Sequence, residues 1–240
     1  MTKVDVLAIG AHPDDVELGC GGAIAKFIAE GKTVAILDLT KGEMGTRGSE
    51  EKRKQEAEDA ANILGVTHRA QANLADGWIS NDQASQLEVI KWIRHFQPTL
   101  ILINAPTDRH PDHPHAANLC VDAAFKSGLK NVVTEHLGQS QSAHRPKNLF
   151  HYIQFWNIEP DVIMDISGYL DKKLAAVKAY DSQFYNPKSD EPKTVISSKN
   201  FLDSVIYRAQ DMGRHIYKEA GEGFIKAQPI GCNSLLDILI

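Results

Sequence analysis

The stretch VDVLAIGAHPDDVELGCGG, residues 4–22, passes from an apolar run through a polar turn into a helical pattern. Its first part, Val4–Ile9, is rich in β-branched residues and almost wholly apolar, which is typical of a strand buried on both faces of a parallel sheet. Apolar residues then recur at helical spacing from 16 to 30, and Gly31 follows where a helix commonly ends. Because Thr33–Leu39 is a second apolar run, the first forty residues predict a right-handed βαβ unit.

The rest of the chain continues this alternation less regularly. Ser49 is a good N-cap for a helix over Glu50–Leu64. Further strands are predicted at Arg69–Leu74, Thr99–Asn104, His151–Trp156 and Asp161–Ile166. Further helices are predicted from Asn81 or Asp82 to Phe96, from the end of the loop Ala105–His115 to about Phe125, at Tyr169–Tyr180 and at Phe201–Tyr217. No repeat or linker divides the sequence. Residues 1–240 are therefore expected to form a single α/β domain with a doubly wound, mostly parallel sheet and helices on both faces.

Composition narrows the class of protein further. The 240 residues include 26 basic and 31 acidic side chains, a formal net charge of −5, so no basic face for nucleic acid is expected. No run of about 18 apolar residues predicts a membrane span, and the first ten residues lack the core of a signal peptide. We therefore expect a cytoplasmic protein. The three cysteines, Cys20, Cys120 and Cys232, are expected to be buried free thiols.

Two His-Pro-Asp turns stand at predicted strand ends. Ala11–Asp15 (AHPDD) follows the first strand, and His110–His113 (HPDH) follows the strand at Thr99–Asn104, inside an expected loop over Ala105–His115. Ligands of doubly wound sheets bind outside the carboxyl ends of the strands. Taken alone, a loop histidine is most often a surface group, and adjacent acids at a helix start match the helix dipole. The shared position of both turns instead favours a metal site.

A catalytic zinc site takes three protein ligands and leaves a position for water. His12, Asp15 and His113 could supply that set, although His and Asp also bind iron or manganese. Asp14 would then be free to act as general base. His110 could stabilise an oxyanion as an imidazolium, with Asp112 orienting it or raising its pKa.

The glycines that follow the first turn do not form a dinucleotide-binding fingerprint. That motif would open the helix directly from the strand, where the sequence has Gly10-Ala-His-Pro-Asp-Asp. Gly19, Gly21 and Gly22 fall inside the predicted helix, where each costs up to about 1 kcal/mol relative to alanine. We expect close packing of this helix on the sheet to compensate.

At the two His-Pro-Asp motifs the sequence resembles the LmbE-like, or PIG-L, family of zinc-dependent de-N-acetylases. It looks most like the branch that deacetylates N-acetylglucosaminyl malate in bacillithiol synthesis. The similarity extends over residues 10–22, 40–57, 106–116, 179–184 and 220–224. It implies a Rossmann-like fold, with residues 1–128 carrying the metal site and 129–240 completing the sheet and substrate pocket.

The same resemblance implies roles for individual residues. It assigns the metal ligands to His12, Asp15 and His113, the general base to Asp14, and the oxyanion histidine to His110, with Asp112 beside it. Arg53 and Arg109 match positions that bind the polar substrate, and the alternative for Arg53 is a solvated helix cation. A guanidinium suits the carboxylates of a malate conjugate.

The predicted function is hydrolysis of the N-acetyl group of an N-acetylglucosamine conjugate, with N-acetylglucosaminyl malate as the expected conjugate. The expected partner is this small amino-sugar conjugate, with no nucleic acid and no membrane, and the resemblance implies a homo-oligomer. Two alternatives stay open on the sequence alone. One is a metal-dependent amidase acting on another sugar conjugate, and the other is a non-catalytic sugar- or nucleotide-binding module that uses the same fold.

Overall fold

The structure is a computed structural model that describes residues 2–238. Its strands are β1 Val6–Gly10, β2 Val34–Asp38, β3 His68–Gln71, β4 Leu100–Ile103, β5 Glu135–His136, β6 Gln139–Ser140, β7 Asn148–Tyr152, β8 Val162–Asp165 and β9 Gly221–Lys226. Its helices are α1 Asp15–Ala29, α2 Glu50–Leu64, α3 Gln83–Phe96, α4 Asp112–Ser127, α5 Leu170–Ala179 and α6 Lys199–His215, with a short 3-10 turn at Leu235–Asp237. No helix in the described part of the chain is long and apolar enough to cross a bilayer.

Seven strands form one sheet in the order β3-β2-β1-β4-β7-β9-β8. β1 pairs in parallel with β2 and β4, while β9 runs antiparallel between β7 and β8. The predicted single α/β domain with a mostly parallel sheet is therefore confirmed. The strand order reverses between β2 and β4, on either side of β1, so the crevice above the end of β1 is where such a sheet binds ligands.

Helices cover both faces of the sheet. Val6 and Ala8 of β1 face a core built with α1, α2, α5 and α6. Leu7 and Ile9 face a second core built with α3 and α4. β1 is thus buried on both faces, which explains its almost uninterrupted apolar sequence.

Several predicted elements are present in the structure, but some of them end at other residues than predicted. Ser49 accepts a hydrogen bond from the Lys52 backbone N–H, so the predicted N-cap is confirmed. The strand predicted at Arg69–Leu74 is β3 and ends at Gln71, and the strand predicted at His151–Trp156 is β7 and ends at Tyr152.

One strand was missed and two expectations were wrong. β9 was not predicted, because the sequence GEGFIK begins with glycines typical of a turn and its partners β7 and β8 lie far away in the chain. The loop expected to run to His115 gives way to α4 at Asp112, so His113 is helical. Cys20 and Cys120 are buried free thiols, but Cys232 is exposed in a segment without regular structure.

The expected close packing of α1 holds at two of the three glycines. A Cβ at Gly19 would lie 2.1 Å from the ring of Tyr152 on β7, and one at Gly22 would lie 2.6 Å from Cδ1 of Ile166. At Gly21 the nearest atom would be 3.4 Å away, an ordinary van der Waals distance. Gly19 therefore lets the first turns of α1 approach the sheet.

Replacing Gly19 with alanine should lower the free energy of unfolding by about 1–3 kcal/mol, because the new methyl group would overlap a fully buried ring. Gly21→Ala is the matched control, since it adds a methyl group without overlap and improves helix propensity by up to about 1 kcal/mol. Urea unfolding of the two variants measures both values. Equal stability of the two variants would contradict the packing argument.

Candidate active site

The two His-Pro-Asp turns meet above the ends of β1 and β4. The centroids of the His12 and His110 rings are 4.6 Å apart, and those of His110 and His113 are 5.3 Å apart. Hydrogen bonds from Leu39 N to Gly10 O and from Thr40 N to Ala11 O extend the pairing of β1 and β2 to the start of the first turn. The side chains that the sequence placed at one edge of the sheet therefore lie in contact.

Asp15 lies between two imidazoles. Its Oδ2 is 3.4 Å from His12 Nδ1, and its Oδ1 is 3.2 Å from His113 Nε2. Asn104 Nδ2 and Gln154 Nε2 also donate to this carboxylate. Burial alone would raise the pKa of Asp15, but the two histidines hold it well below its usual value.

The second ring nitrogen of each of these histidines is also held by carboxylates. His113 Nδ1 is 2.8 Å from Asp108 Oδ2, and His12 Nε2 is 3.0 Å from Asp76 Oδ1 and 3.3 Å from Asp112 Oδ2. Metal-binding histidines characteristically donate their other N–H to a carboxylate, which fixes the tautomer. His12 Nδ1 and His113 Nε2 both face Asp15. Two imidazoles and one carboxylate are donor types that suit a divalent metal ion, and this ligand set stays a prediction.

The carboxylates also change the proton affinity of these imidazoles. Burial lowers the pKa of His12, but hydrogen bonds to Asp112, Asp15 and Asp76 raise it well above its usual value. Burial opposes the same effect at His113, whose pKa Asp15 and Asp108 raise to about 9. Both imidazoles thus hold a proton more tightly than a free histidine does.

The geometry also offers two other donor groups. His12, His110 and His113 bring ligand atoms within 4.8 Å of one another, and so do His12, Asp76 and Asp112. In the second group Asp112 Oδ1 is buried without a hydrogen-bond partner. One imidazole with two carboxylates suits a harder ion such as manganese, whereas two imidazoles with one carboxylate suit zinc or iron.

Sequence reasoning missed Asp76 and Asp108. Asp76 follows the end of β3, and Asp108 stands two residues before His110, so both lie at the functional edge of the sheet. Their position after strands was the available signal. Neither residue belongs to a His-Pro-Asp motif, and only the fold shows which imidazole each one contacts.

Asp14 has an unusual backbone and a cationic partner. It is the N-cap of α1 with a φ of 115°, in the left-handed region, where a side chain is strained by about 1–3 kcal/mol. Arg53 Nη2 donates to Asp14 Oδ2 at 3.1 Å and to Pro13 O at 2.6 Å, and its Nη1 donates to Gly42 O at 3.3 Å. Burial raises the pKa of Asp14 to about 7 against the opposing charge of Arg53.

His110 has a different environment from the one expected. Burial and the neighbouring His12 and His113 lower its pKa, which disfavours the imidazolium predicted from the sequence. Asp112 contacts His110 through its backbone N–H, which donates to Nδ1 at 3.3 Å, while the Asp112 carboxylate accepts from Gly77 N and faces His12. A neutral His110 would therefore carry its proton on Nε2.

His12, Asp14, Asp15, Asp76, His110 and His113 line a cavity of about 540 Å³, a volume that fits a sugar-sized ligand. Arg53 and Arg109 both line it. Arg109 is exposed and its guanidinium lies 5.0 Å from the centre of the Phe155 ring. Arg53 is buried and engaged with Asp14, so its predicted role in substrate binding stays a prediction that these contacts do not favour.

Comparison with known proteins identifies the family of this chain. The family model for GlcNAc-PI de-N-acetylase (PIG-L) matches residues 7–124, which include both His-Pro-Asp motifs. Diacetylchitobiose deacetylase of Thermococcus kodakarensis is 32% identical over 189 residues, 75% of this chain and 70% of that protein. The chain belongs to the PIG-L family. The predicted enzyme class, an N-deacetylase, is confirmed with it.

Other relatives of this PIG-L protein cover most of its length. A probable N-acetyl-alpha-D-glucosaminyl L-malate deacetylase 2 of Bacillus anthracis is 28% identical over 198 residues, 75% of this chain and 81% of that protein. Among solved structures, the conserved protein TT1542 from Thermus thermophilus superimposes with a TM-score of 0.85 at 31% identity, covering 95% of this chain and 97% of the other. The α/β architecture is thus shared over nearly the whole chain.

Two variants distinguish the possible ligand sets. His113→Ala should lose stoichiometric zinc, because it removes an imidazole from the set of His12, Asp15 and His113. Asp76→Asn should keep one ion per chain with about 10–100-fold weaker affinity, as expected for a residue that only orients His12. Metal analysis of dialysed proteins measures both. Loss of the ion from Asp76→Asn and its retention in His113→Ala would favour His12, Asp76 and Asp112.

Proposed function

We propose that this PIG-L protein hydrolyses the N-acetyl group of an N-acetylglucosamine conjugate. The observation that carries the proposal is the position of Asp14, a buried carboxylate close to His12 and Asp15 that lines a sugar-sized cavity. That arrangement provides a proton acceptor and a cation-binding group at one point. The reaction adds water across the amide, breaks the C–N bond, and releases acetate and the free amine.

Within this proposal, His12, Asp15 and His113 would hold a divalent ion, for which zinc is the first candidate and iron or manganese are alternatives. When bound, the ion supplies Lewis acidity toward the amide carbonyl and toward water. Neighbouring carboxylates keep two of these three ligands in place. Asp108 holds the ring of His113, and Asp76 and Asp112 hold the ring of His12.

Asp14 is assigned the proton transfers. Its carboxylate accepts a proton from the attacking water and later gives it to the nitrogen of the departing amine, so the proton count balances. Arg53 holds Oδ2 of Asp14 and the carbonyl of Pro13, which fixes the direction of the carboxylate. We therefore assign Arg53 a positioning role toward Asp14.

His110 is assigned to the carbonyl oxygen of the substrate. With Nδ1 occupied by the Asp112 backbone N–H, its Nε2–H is the donor available to the negative charge that develops on that oxygen. Removal of one such donor commonly lowers kcat by about 10²–10³-fold. A neutral imidazole suits this role, because it donates without adding charge beside the other two histidines.

Among N-acetylglucosamine conjugates, we propose N-acetylglucosaminyl malate as the substrate. The relative from Bacillus anthracis that carries this name supports it, and an exposed Arg109 at the cavity gives a carboxylate a partner. A neutral chitin disaccharide is the second candidate, which the Thermococcus kodakarensis relative favours at 32% identity. The predicted cytoplasmic location and homo-oligomer remain predictions.

The Asp14→Asn variant should bind metal as the wild type does yet lose about 10²–10⁴-fold in kcat, because the amide cannot accept the proton of the water. Metal content and amine release are measured on the same preparation. Turnover within a few-fold of wild type in the loaded variant would remove Asp14 as the general base.

A substrate panel tests the reaction itself. Free amine and acetate are measured with N-acetylglucosaminyl malate, diacetylchitobiose and a sugar–cysteine conjugate, before and after treatment with a chelator. We expect turnover of at least one conjugate, loss of turnover with chelator, and recovery on adding back zinc. Unchanged turnover after complete removal of metal would contradict the proposed ion, and the ranking of the three conjugates decides the aglycone.

A further inference from the structure

The charged side chains that line the cavity differ in exposure. Asp14, Asp15 and Asp76 are buried, as are Arg47 and Arg53, whereas Arg109 and Lys193 are exposed. The exposed charged residues of the lining are thus both cations. A ligand whose reacting group lies beside Asp14 would place its remaining part near the exposed cations.

Four arginine and lysine side chains line the cavity, and two of them are already engaged. Arg53 donates to Asp14 and to two backbone carbonyls. Arg47 donates to Ser182 O, to Pro192 O at 3.0 Å and to Ser189 Oγ at 3.0 Å. Neither guanidinium can bind a substrate anion without giving up these partners.

The other two cations have no such partner. Within residues 2–238, Arg109 makes no side-chain hydrogen bond or ion pair and only stacks on Phe155, and the Lys193 ammonium contacts no acceptor. The net charge of −5 makes two unpaired cations at one opening a specific feature rather than a general surface property. They are the groups available to an incoming anion.

The backbone around Lys193 is held although its side chain is free. Arg47 binds the carbonyl of Pro192, directly before Lys193. Directly after it, Thr194 N donates to Ser197 Oγ at 2.9 Å and Ser197 N donates to Thr194 Oγ1 at 3.2 Å. Lys193 is therefore presented to the cavity from a fixed Cα position, which reduces the entropy lost when its ammonium binds a ligand.

We propose that Lys193 is a specificity-determining residue which, together with Arg109, binds an anionic group on the aglycone of the substrate. This rests on the proposed deacetylation of an N-acetylglucosamine conjugate and names the chemical class of that conjugate. A guanidinium binds a carboxylate or phosphate through two parallel hydrogen bonds, and an ammonium adds a compact point charge. The sugar would lie between these cations and Asp14, against the overall negative sign of the protein.

The test compares substrates that share N-acetylglucosamine and carry either an anionic or a neutral aglycone. The substrates are N-acetylglucosaminyl malate, N-acetylglucosamine 1-phosphate and the neutral methyl N-acetylglucosaminide, assayed with metal-loaded wild type and Lys193→Gln. The ratio of kcat/KM for the anionic substrate to that for the neutral one should fall about tenfold in the variant, mainly through KM. A fall confined to the malate or to the phosphate substrate identifies which anion the site takes.

Lys188→Gln is the matched control. Lys188 is an exposed lysine of the same segment that does not line the cavity, so this variant should keep the wild-type ratio. Raising the salt concentration should reduce the ratio for wild type more than for Lys193→Gln, since exposed charges are screened. Equal ratios in wild type and Lys193→Gln, or equal losses in both lysine variants, would overturn the proposal.

A binding experiment separates this proposal from the proposed function. Calorimetric titration with glucosaminyl malate, the deacetylated product, needs no turnover. If wild type turns over none of the three substrates but binds this product about tenfold more tightly than Lys193→Gln does, the proposed reaction fails and the anion site stands. If wild type turns over the neutral substrate, and both proteins bind the product equally, the reaction stands and the anion site fails.

Discussion

The contact of one carboxylate, Asp15, with His12 and His113 is the constraint on which the rest of the site depends. It requires the ends of β1 and β4 to be neighbours, because His12 follows β1 and His113 lies in the first turn of α4, after β4. Every group in it is buried, so an ionised side chain without a partner would be strongly destabilising. The imidazoles and carboxylates therefore depend on one another, and a change at any of them alters the proton affinity of the others.

Buried charged groups also pair with one another below the site. Arg69 on β3 donates to both oxygens of Asp38 at 2.7 and 2.8 Å and to Glu17 of α1 at 2.6 Å. Tyr180 adds a hydrogen bond to Glu17 at 3.2 Å. These buried pairs tie α1 to the edge of the sheet, so the helix that carries Asp15 is held by ionic contacts as well as by its close approach at Gly19.

Local patterns in the sequence were sufficient to predict the parallel strands β1, β2 and β4 and to predict that the two His-Pro-Asp turns lie at the same edge of the sheet. Long apolar runs mark β1, β2 and β4, and parallel strands bring their carboxyl ends to one edge. β9 could not be found in this way, because its pairing partners lie far away in sequence and its first residues are typical of a turn.

The partners of the site residues were beyond sequence patterns for a related reason. Asp76 and Asp108 become recognisable only when the fold brings them to the nitrogen atoms of His12 and His113. Arg53 matched a substrate-binding position by resemblance, whereas its contacts with Pro13, Asp14 and Gly42 depend on how α2 packs beside the first turn. A side chain's identity indicates what it can bind, but its neighbours decide what it does bind.

The wall of the cavity around Lys193 belongs to a stretch without helix or strand, anchored to the domain by Arg47. The residues assigned to hydrolysis and metal binding lie on the turn after β1 and around the start of α4, next to the ends of central strands of the sheet. Lys193, to which we assign part of the selectivity, thus stands apart from the hydrolytic groups, whereas Arg109 directly precedes His110. Substitutions in the wall could redirect the enzyme to a new conjugate while the hydrolytic groups stay untouched, which makes that segment the natural place for substrate preference to diverge or to be engineered.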